Sequence, residues 1–300
     1  MAWFTVRVPA SSANLGPGFD ALGLALGVYL TCRFGRSEAL CIRAEGRDAH
    51  EIPTTPENLI WQTAQTVARD HGLEMPPIDL DIRNDIPVGK GLGSSAAALT
   101  AGVVIADQLL DLRWKPPRVL DEAARLEGHP DNVAACTLGS IVASAIDSGG
   151  VTRAVRIELP RRFGIGIVVP DFELPTAESR AVLPDCYSRA DAVFNVQRAS
   201  LLIAALMAGA TWAFPVALED RFHHPYRAPL VPGLAEILKL RAPGLLGCVL
   251  SGAGPSILVF FERGYESVCD LVQQIFHLNG HSSDILLTEI PDQGYELTAS

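Results

Sequence analysis

Apolar and polar residues alternate along the opening FTVRVPA, which predicts a strand, before the pattern breaks into the polar, glycine-containing segment SSANLGPGFDALG. Apolar character returns from Leu22 to Cys32. The spacing predicts helices over 58–71 and 94–110, the second directly after a glycine-rich turn, with a strand over 78–83 ahead of it. Further on it predicts a helix over 116–126, a short helix starting near Pro130, and strands over 140–146, 152–158 and 164–169. A first unit should then end near Pro160. The remainder reads as a long helix over 188–208, a short acidic helix over 216–221 and a helix over 234–240. Strands over 246–250 and 256–261, a helix over 265–278 and a last strand over 283–290 follow. Strands and helices mix without a regular βαβ count, so the expected class is α+β rather than a doubly wound sheet, in two units covering 1–160 and 161–300.

Composition narrows this only a little. A chain of 300 residues with 48% hydrophobic and 19% charged positions has material for a real core, which excludes a fibrous or largely disordered protein. With 34 acidic against 24 basic residues the net charge is -10, so there is no general attraction to nucleic acid or anionic lipid, and neither is expected as a partner. Any polyanionic ligand must be captured locally. The cysteines at 32, 41, 136, 186, 248 and 269 form no Cys-x-x-Cys pair and have no histidine at metal spacing, so reduced thiols are expected. The N-terminus lacks the basic start and apolar run of a secretory signal, which points to the cytoplasm. The uncharged stretch 199–218 approaches the length of a spanning helix. Gly209, Thr211 and Pro215 interrupt it and Arg198, Glu219 and Asp220 bound it, so a helix buried inside the protein is expected instead of a membrane span.

Four segments carry the candidate chemistry. In PVGKGLGSSAAA (87–98) three glycines allow positive φ and close backbone approach, while the amides of the following helix face an anion. The spacing is neither a Walker A loop nor a Rossmann fingerprint, and the plainer reading is a helix entry capped by Ser94. PASSANLGPGFD (9–20) and LSGAGPS (250–256) are, taken singly, tight turns. LEGHPDN (126–132) gathers two carboxylates, an imidazole and an amide. That set suits Mg²⁺ coordination through Glu127 and orientation of a hydroxyl through Asn132, or simply a helix N-terminus near Pro130.

Together, in this order, the segments resemble the GHMP kinase superfamily, whose ATP-binding P-x-x-x-G-L-G-S-S-A loop lies between an N-terminal motif and a C-terminal glycine motif. More narrowly, PASSANLGPGFDALGLAL, LEGHPDNVA, VPDFELPTAESRAVLP, DRFHHPYRAPLVPG and SGAGPSILVF resemble the homoserine kinase family along nearly the whole chain. The resemblance implies a two-domain fold, an N-terminal unit like ribosomal protein S5 domain 2 and a ferredoxin-like C-terminal unit, with ATP and substrate between them. It implies ATP-dependent phosphorylation of L-homoserine to O-phospho-L-homoserine in threonine biosynthesis, with Mg²⁺. Pro87, Val88, Gly89, Lys90, Gly91, Leu92, Gly93, Ser94, Ser95, Ala96 and Ala97 would form the ATP site, and Ser94 or Ser95 with Glu127 would hold the metal.

By the same resemblance Arg180 and Arg227 match carboxylate-binding positions, and a guanidinium suits the planar two-point contact. Asn14 and Asp20 match groups near the ammonium and hydroxyl, and His129, Asn132, Thr176, Gly252 and Gly254 complete the substrate pocket. Asn132 stands where relatives such as mevalonate kinases are thought to use an aspartate. An amide is a poor proton acceptor, so Asn132 is expected to orient the hydroxyl while positioning and charge neutralisation drive transfer. Lys90 either neutralises phosphate or points to solvent, and His223 and His224 are expected to be pocket-side structure. The resemblance further implies a homodimer and feedback by threonine. Kinases of mevalonate, shikimate or sugars act on acceptors without an amino acid's paired charges. A nucleotide sensor would be expected to show a degraded loop, and this one is intact.

Overall fold

The computed structural model describes residues 2–160 and 163–299. The first unit is built on β1 (Trp3–Ala13), β2 (Leu22–Arg36), β3 (Cys41–Gly46), β4 (Ile78–Asn84), β5 (Ile141–Ile146) and β6 (Thr152–Ile157). β1 and β2 pair antiparallel along their length, from Trp3 opposite Gly35 to Ala13 opposite Gly23, with a register shift between Pro9 and Ala10. The far end of β2 pairs with β4, its near end with β5, and β3 runs parallel to β4. α1 (Leu59–Asp70), α2 (Ser94–Leu110), α3 (Pro116–Glu127) and α4 (Asp131–Leu138) belong to the same unit. Asn58 caps α1, its side-chain oxygen accepting from the amides of Ile60 and Trp61. α2 is apolar almost all round because it packs against α1, α3, α4 and the sheet, so residues from Ala96 to Ala106 other than Ala98 are buried.

The second unit contains β7 (Phe163–Pro170), α5 (Thr176–Ala181), α6 (Arg189–Ala208), α7 (Phe214–Ala217), α8 (His224–Arg227) and α9 (Leu234–Ile237). β8 (Leu245–Leu250), β9 (Ile257–Glu262), α10 (Val268–Leu278) and β10 (Ser283–Thr288) complete it. Its sheet has the order β10-β7-β9-β8 with antiparallel neighbours, the split βαβ arrangement of ferredoxin-like folds. One face packs on α9 and α10, and on the other Phe163, Phe214 and Phe260 meet edge to face and join the core of the first unit. The two units therefore share apolar contact.

Several expectations change. The division at 160/161 falls beside residues 161 and 162, which lie outside the described residues. A final strand, β11 (Glu296–Ala299), crosses back to pair with β1, so 161–300 is not a self-contained unit. The expected acidic helix over 216–221 forms earlier, as α7, because the Asp220 carboxylate accepts the amides of Phe222, His223 and His224 and starts the next turn. The stretch 199–218 is not a single buried helix: α6 ends at Ala208, and Leu202, Ala205, Leu206, Ala213, Phe214, Ala217 and Leu218 enter the core while Leu201, Met207, Trp212 and Val216 are exposed. α6 also leaves Val193 and Val196 exposed. Among the described residues it is long and apolar enough to cross a membrane by length and composition. Asp191, Asn195 and Arg198 nevertheless tie it to Arg221, Asp220 and Glu219 of its own unit. All six cysteines are free, and burial pushes the thiols of Cys32, Cys136 and Cys248 up to about 12, which keeps them protonated and inert.

Candidate active site

The loop between β4 and α2 is held open by backbone geometry. Gly89, Gly91 and Gly93 have φ of 67°, 74° and 68°. Gly93, and not Ser94, is the N-cap of α2, and no side chain among the described residues caps it. The first-turn amides of a 17-residue helix thus face the loop without an internal acceptor, at the positive end of the helix dipole.

The three glycine-containing segments meet at this loop. The Ser11 amide donates to the Leu92 carbonyl at 3.0 Å. The Ser251 hydroxyl lies 2.8 Å from both the Gly91 carbonyl and the Ser12 hydroxyl. Asn14 Nδ2 donates to Gly252 O at 2.9 Å, and the Gly252 amide to Ala13 O at 3.1 Å. Lys90 takes neither expected role: its ammonium donates to the carbonyls of Asp171 (3.2 Å) and Phe172 (2.9 Å), fastening the loop to the end of β7.

A cavity of about 360 Å³ runs along the loop. Ile52, Pro53, Leu59, Ile60 and Ile82 line it, as do residues 87–95 and, on the polar side, Asn14, Glu127, His129, Asp131, Asn132 and Thr176. Ala96 and Ala97 are wholly buried in α2 and do not line it. Ser95 Oγ and Glu127 Oε1 are 3.2 Å apart, an all-oxygen pair that fits a hard divalent cation. Burial pushes the Glu127 carboxyl above the usual range, against the opposing pull of His129 and Ser95. His129 Nδ1 contacts Asp131 Oδ1 at 2.7 Å. Burial opposes charge on this imidazole, but the Asp131 hydrogen bond and the nearby carboxylates outweigh it and raise its pKa. Asn132 Oδ1 accepts from Ser11 Oγ at 2.9 Å, which commits its oxygen and leaves the amide nitrogen as the donor.

The charged acceptor-side residues lie beside this cavity, outside its lining. Arg180 makes two hydrogen bonds to Asp20, Nη2 to Oδ1 at 2.7 Å and Nη1 to Oδ2 at 3.1 Å. Ligand atoms of Asp20, His129 and Asp131 all lie within 4.8 Å of one another, so the pair adjoins the polar end. Arg227 is 1% exposed and donates from Nε to Ser179 O and from Nη1 to Gly252 O. Both guanidinium carbons sit about the same distance from the Phe19 ring, 5.6 Å for Arg180 and 5.5 Å for Arg227. Gly252 lines the cavity, whereas Gly254 backs the glycine loop, its carbonyl lying against Gly91.

Comparison with known proteins agrees with this geometry. The family described as GHMP kinases N terminal domain matches residues 58–140, and GHMP kinases C terminal matches 202–268. The chain is 76% identical to a homoserine kinase of Solibacter usitatus over 297 residues, covering 99% of this chain and 98% of that protein. It is 45% identical to a homoserine kinase of Deinococcus radiodurans, covering 87% and 85%. A crystal structure of homoserine kinase from Cytophaga hutchinsonii superposes with a TM-score of 0.86 at 27% identity, covering 99% and 97%. The chain belongs to the homoserine kinase family of GHMP kinases. It is a phosphotransferase with the two-domain GHMP fold.

Within this homoserine kinase architecture some site residues escaped the motif reading. Ser11 and Ser251 lie inside the quoted motifs, yet only the fold shows that one orients Asn132 and the other joins two loops. Asp131, 1% exposed, is the partner that fixes His129. The apolar wall formed by Ile52, Pro53, Ile60 and Ile82 comes from three separate segments and has no local signature.

Proposed function

We propose that the cavity binds Mg-ATP and that the chain transfers its γ-phosphoryl group to the hydroxyl of L-homoserine, giving O-phospho-L-homoserine and ADP. The observation that carries this reading is the uncapped N-terminus of α2, which opens on a cavity also lined by Glu127 and Asn132. The loop amides and helix terminus would take the phosphates, with the apolar wall receiving the base. Ser95, with Glu127, would hold Mg²⁺, and a bound cation neutralises charge on the transferring phosphoryl group.

Asn132 donates from its amide to the acceptor hydroxyl oxygen, fixing it in line with the phosphoryl group. The new O–P bond forms as the β–γ bridging bond breaks, and the hydroxyl proton goes to a phosphate oxygen or solvent. No strong base is required, since phosphoryl transfer depends mainly on positioning and charge neutralisation. Asp20 suits the substrate ammonium, while Arg180 and Arg227 suit its carboxylate, so an arriving amino acid exchanges partners with the Asp20–Arg180 pair. The family resemblance also supports a homodimeric, cytoplasmic enzyme of threonine biosynthesis.

The direct test is ADP release with Mg-ATP, comparing L-homoserine with mevalonate, shikimate, galactose, L-serine and no acceptor. Homoserine-dependent turnover is expected, and Asn132→Ala should lower kcat by about a hundredfold with little change in ATP KM. Release with another acceptor alone would discard the substrate. Threonine carries the same ammonium, carboxylate and a hydroxyl, so it is expected to compete with homoserine, and unchanged rates at millimolar threonine would remove that feedback.

A further inference from the structure

We infer that His223 sets the orientation of Arg227 and so acts as a positioning residue for recognition of the acceptor's carboxylate; this rests on the proposed role of Arg227. His223 is fully buried, one turn ahead of Arg227, whose amide donates to the His223 carbonyl. Its two ring nitrogens have unlike partners. Nε2 lies 2.9 Å from the Gly16 carbonyl, which can only accept, so Nε2 carries the proton. Nδ1 lies 3.2 Å from Arg227 Nη1, which can only donate, so Nδ1 presents its lone pair. Both contacts require the same neutral tautomer. Burial, reinforced by His224 and the Arg227 charge, holds the imidazole well below its ordinary pKa despite Asp220, so this tautomer persists at neutral pH.

The consequence falls on the guanidinium. Of its five N–H donors, Nε engages Ser179 O, and the two on Nη1 engage Gly252 O and His223 Nδ1. The two on Nη2 have no partner among the described residues. A planar fork pinned at three donors cannot rotate, so the remaining edge is fixed in direction before a carboxylate arrives. Gly16 belongs to the segment that carries Asn14 and Asp20. Through His223, the ammonium-side and carboxylate-side residues share one frame.

The neighbouring groups also remove the metal reading that two adjacent histidines invite. Asp220, His223 and His224 place ligand atoms within 4.8 Å of one another. Yet His223 Nδ1 serves Arg227, and His224 Nε2 accepts the Leu250 amide at 3.2 Å. Asp220 accepts from Asn195 and from three backbone amides. These engagements fix the backbone at residue 223 and leave its imidazole for Arg227.

Two variants separate the two ring contacts. His223→Gln keeps a donor near the Nε2 position for Gly16 but has no acceptor near Nδ1, whereas His223→Asn offers the acceptor and loses the donor. Steady-state kinetics of the full chain, varying homoserine and ATP in turn, would be run beside Arg227→Lys with thermal midpoints for all. His223→Gln is expected to raise homoserine KM about tenfold, the equivalent of about 1.4 kcal/mol. ATP KM should move by less than about twofold, and His223→Asn should restore most of the homoserine affinity. If His223→Gln leaves homoserine KM unchanged while Arg227→Lys raises it, the positioning role is wrong and the arginine's role stands. If Arg227→Lys has no effect on homoserine KM, both fall. If both His223 variants raise the KM of both substrates in step with a drop in thermal midpoint, His223 is structural only and the inference is overturned.

Discussion

Replacing Gly91 by alanine is expected to lower kcat/KM by about a hundredfold or more, because it moves the phosphate loop away from the segment that supports it. Gly91 has a φ of 74°, where a side chain costs about 1–2 kcal/mol. The larger effect is steric. A Cβ there would collide with the Ser251 carbonyl oxygen and stand 2.6 Å from the Gly254 carbonyl oxygen. Both are backbone atoms of the third glycine segment, so no side chain can rotate to relieve the overlap. The loop must shift, and with it the amides proposed to take the phosphates. Gly72→Ala is the matched control, since Gly72 has a φ of 68° with open space around it. It should lose about 1 kcal/mol of stability and keep its turnover. Thermal melts and ATP-dependent kinetics on the two variants separate strain from collision. Equal activity in both would show that the contact between Gly91 and the third segment does not matter.

That contact also shows what the sequence could and could not reveal. The strand–glycine loop–helix order was legible because φ > 0 leaves its mark as glycine, and Gly89, Gly91 and Gly93 all adopt it. The long helices were legible from periodicity, with α1 and α6 falling within a residue or two of expectation. β3 and β11 were not, since CIRAEG has neither a sustained apolar run nor an alternation and ELTA is only four residues long. The stretch 199–218 turned out buried on one side only, because an apolar composition does not say which face is covered. In the site, motif residues such as Asn132 and Glu127 were readable, but pairings across the chain were not. Lys90 reaching the Asp171 and Phe172 carbonyls and Asp20 pairing with Arg180 are consequences of topology alone.

Arg180→Ala should raise homoserine KM by about ten- to a hundredfold, with ATP KM moving less than about twofold. The range follows from losing hydrogen bonds between a guanidinium and a carboxylate, worth about 1.5–3 kcal/mol. Stability should respond differently. The side chains of Arg180 and Asp20 are 37% and 34% exposed, so their ion pair is screened by solvent and contributes at most about 1 kcal/mol to the fold. The thermal midpoint should therefore barely move while substrate affinity collapses, a split that damage to the fold could not produce. Arg180→Lys should recover only part of the loss, because an ammonium keeps the charge but cannot make the planar two-point contact. Asp20 supplies the opposite check: Asp20→Asn removes the charge proposed to meet the substrate ammonium and frees Arg180 from its partner. It should weaken L-homoserine binding and improve the relative binding of 4-hydroxybutyrate, which lacks the ammonium, by about tenfold. An unchanged preference between these two acceptors would mean that Asp20 serves only to hold Arg180.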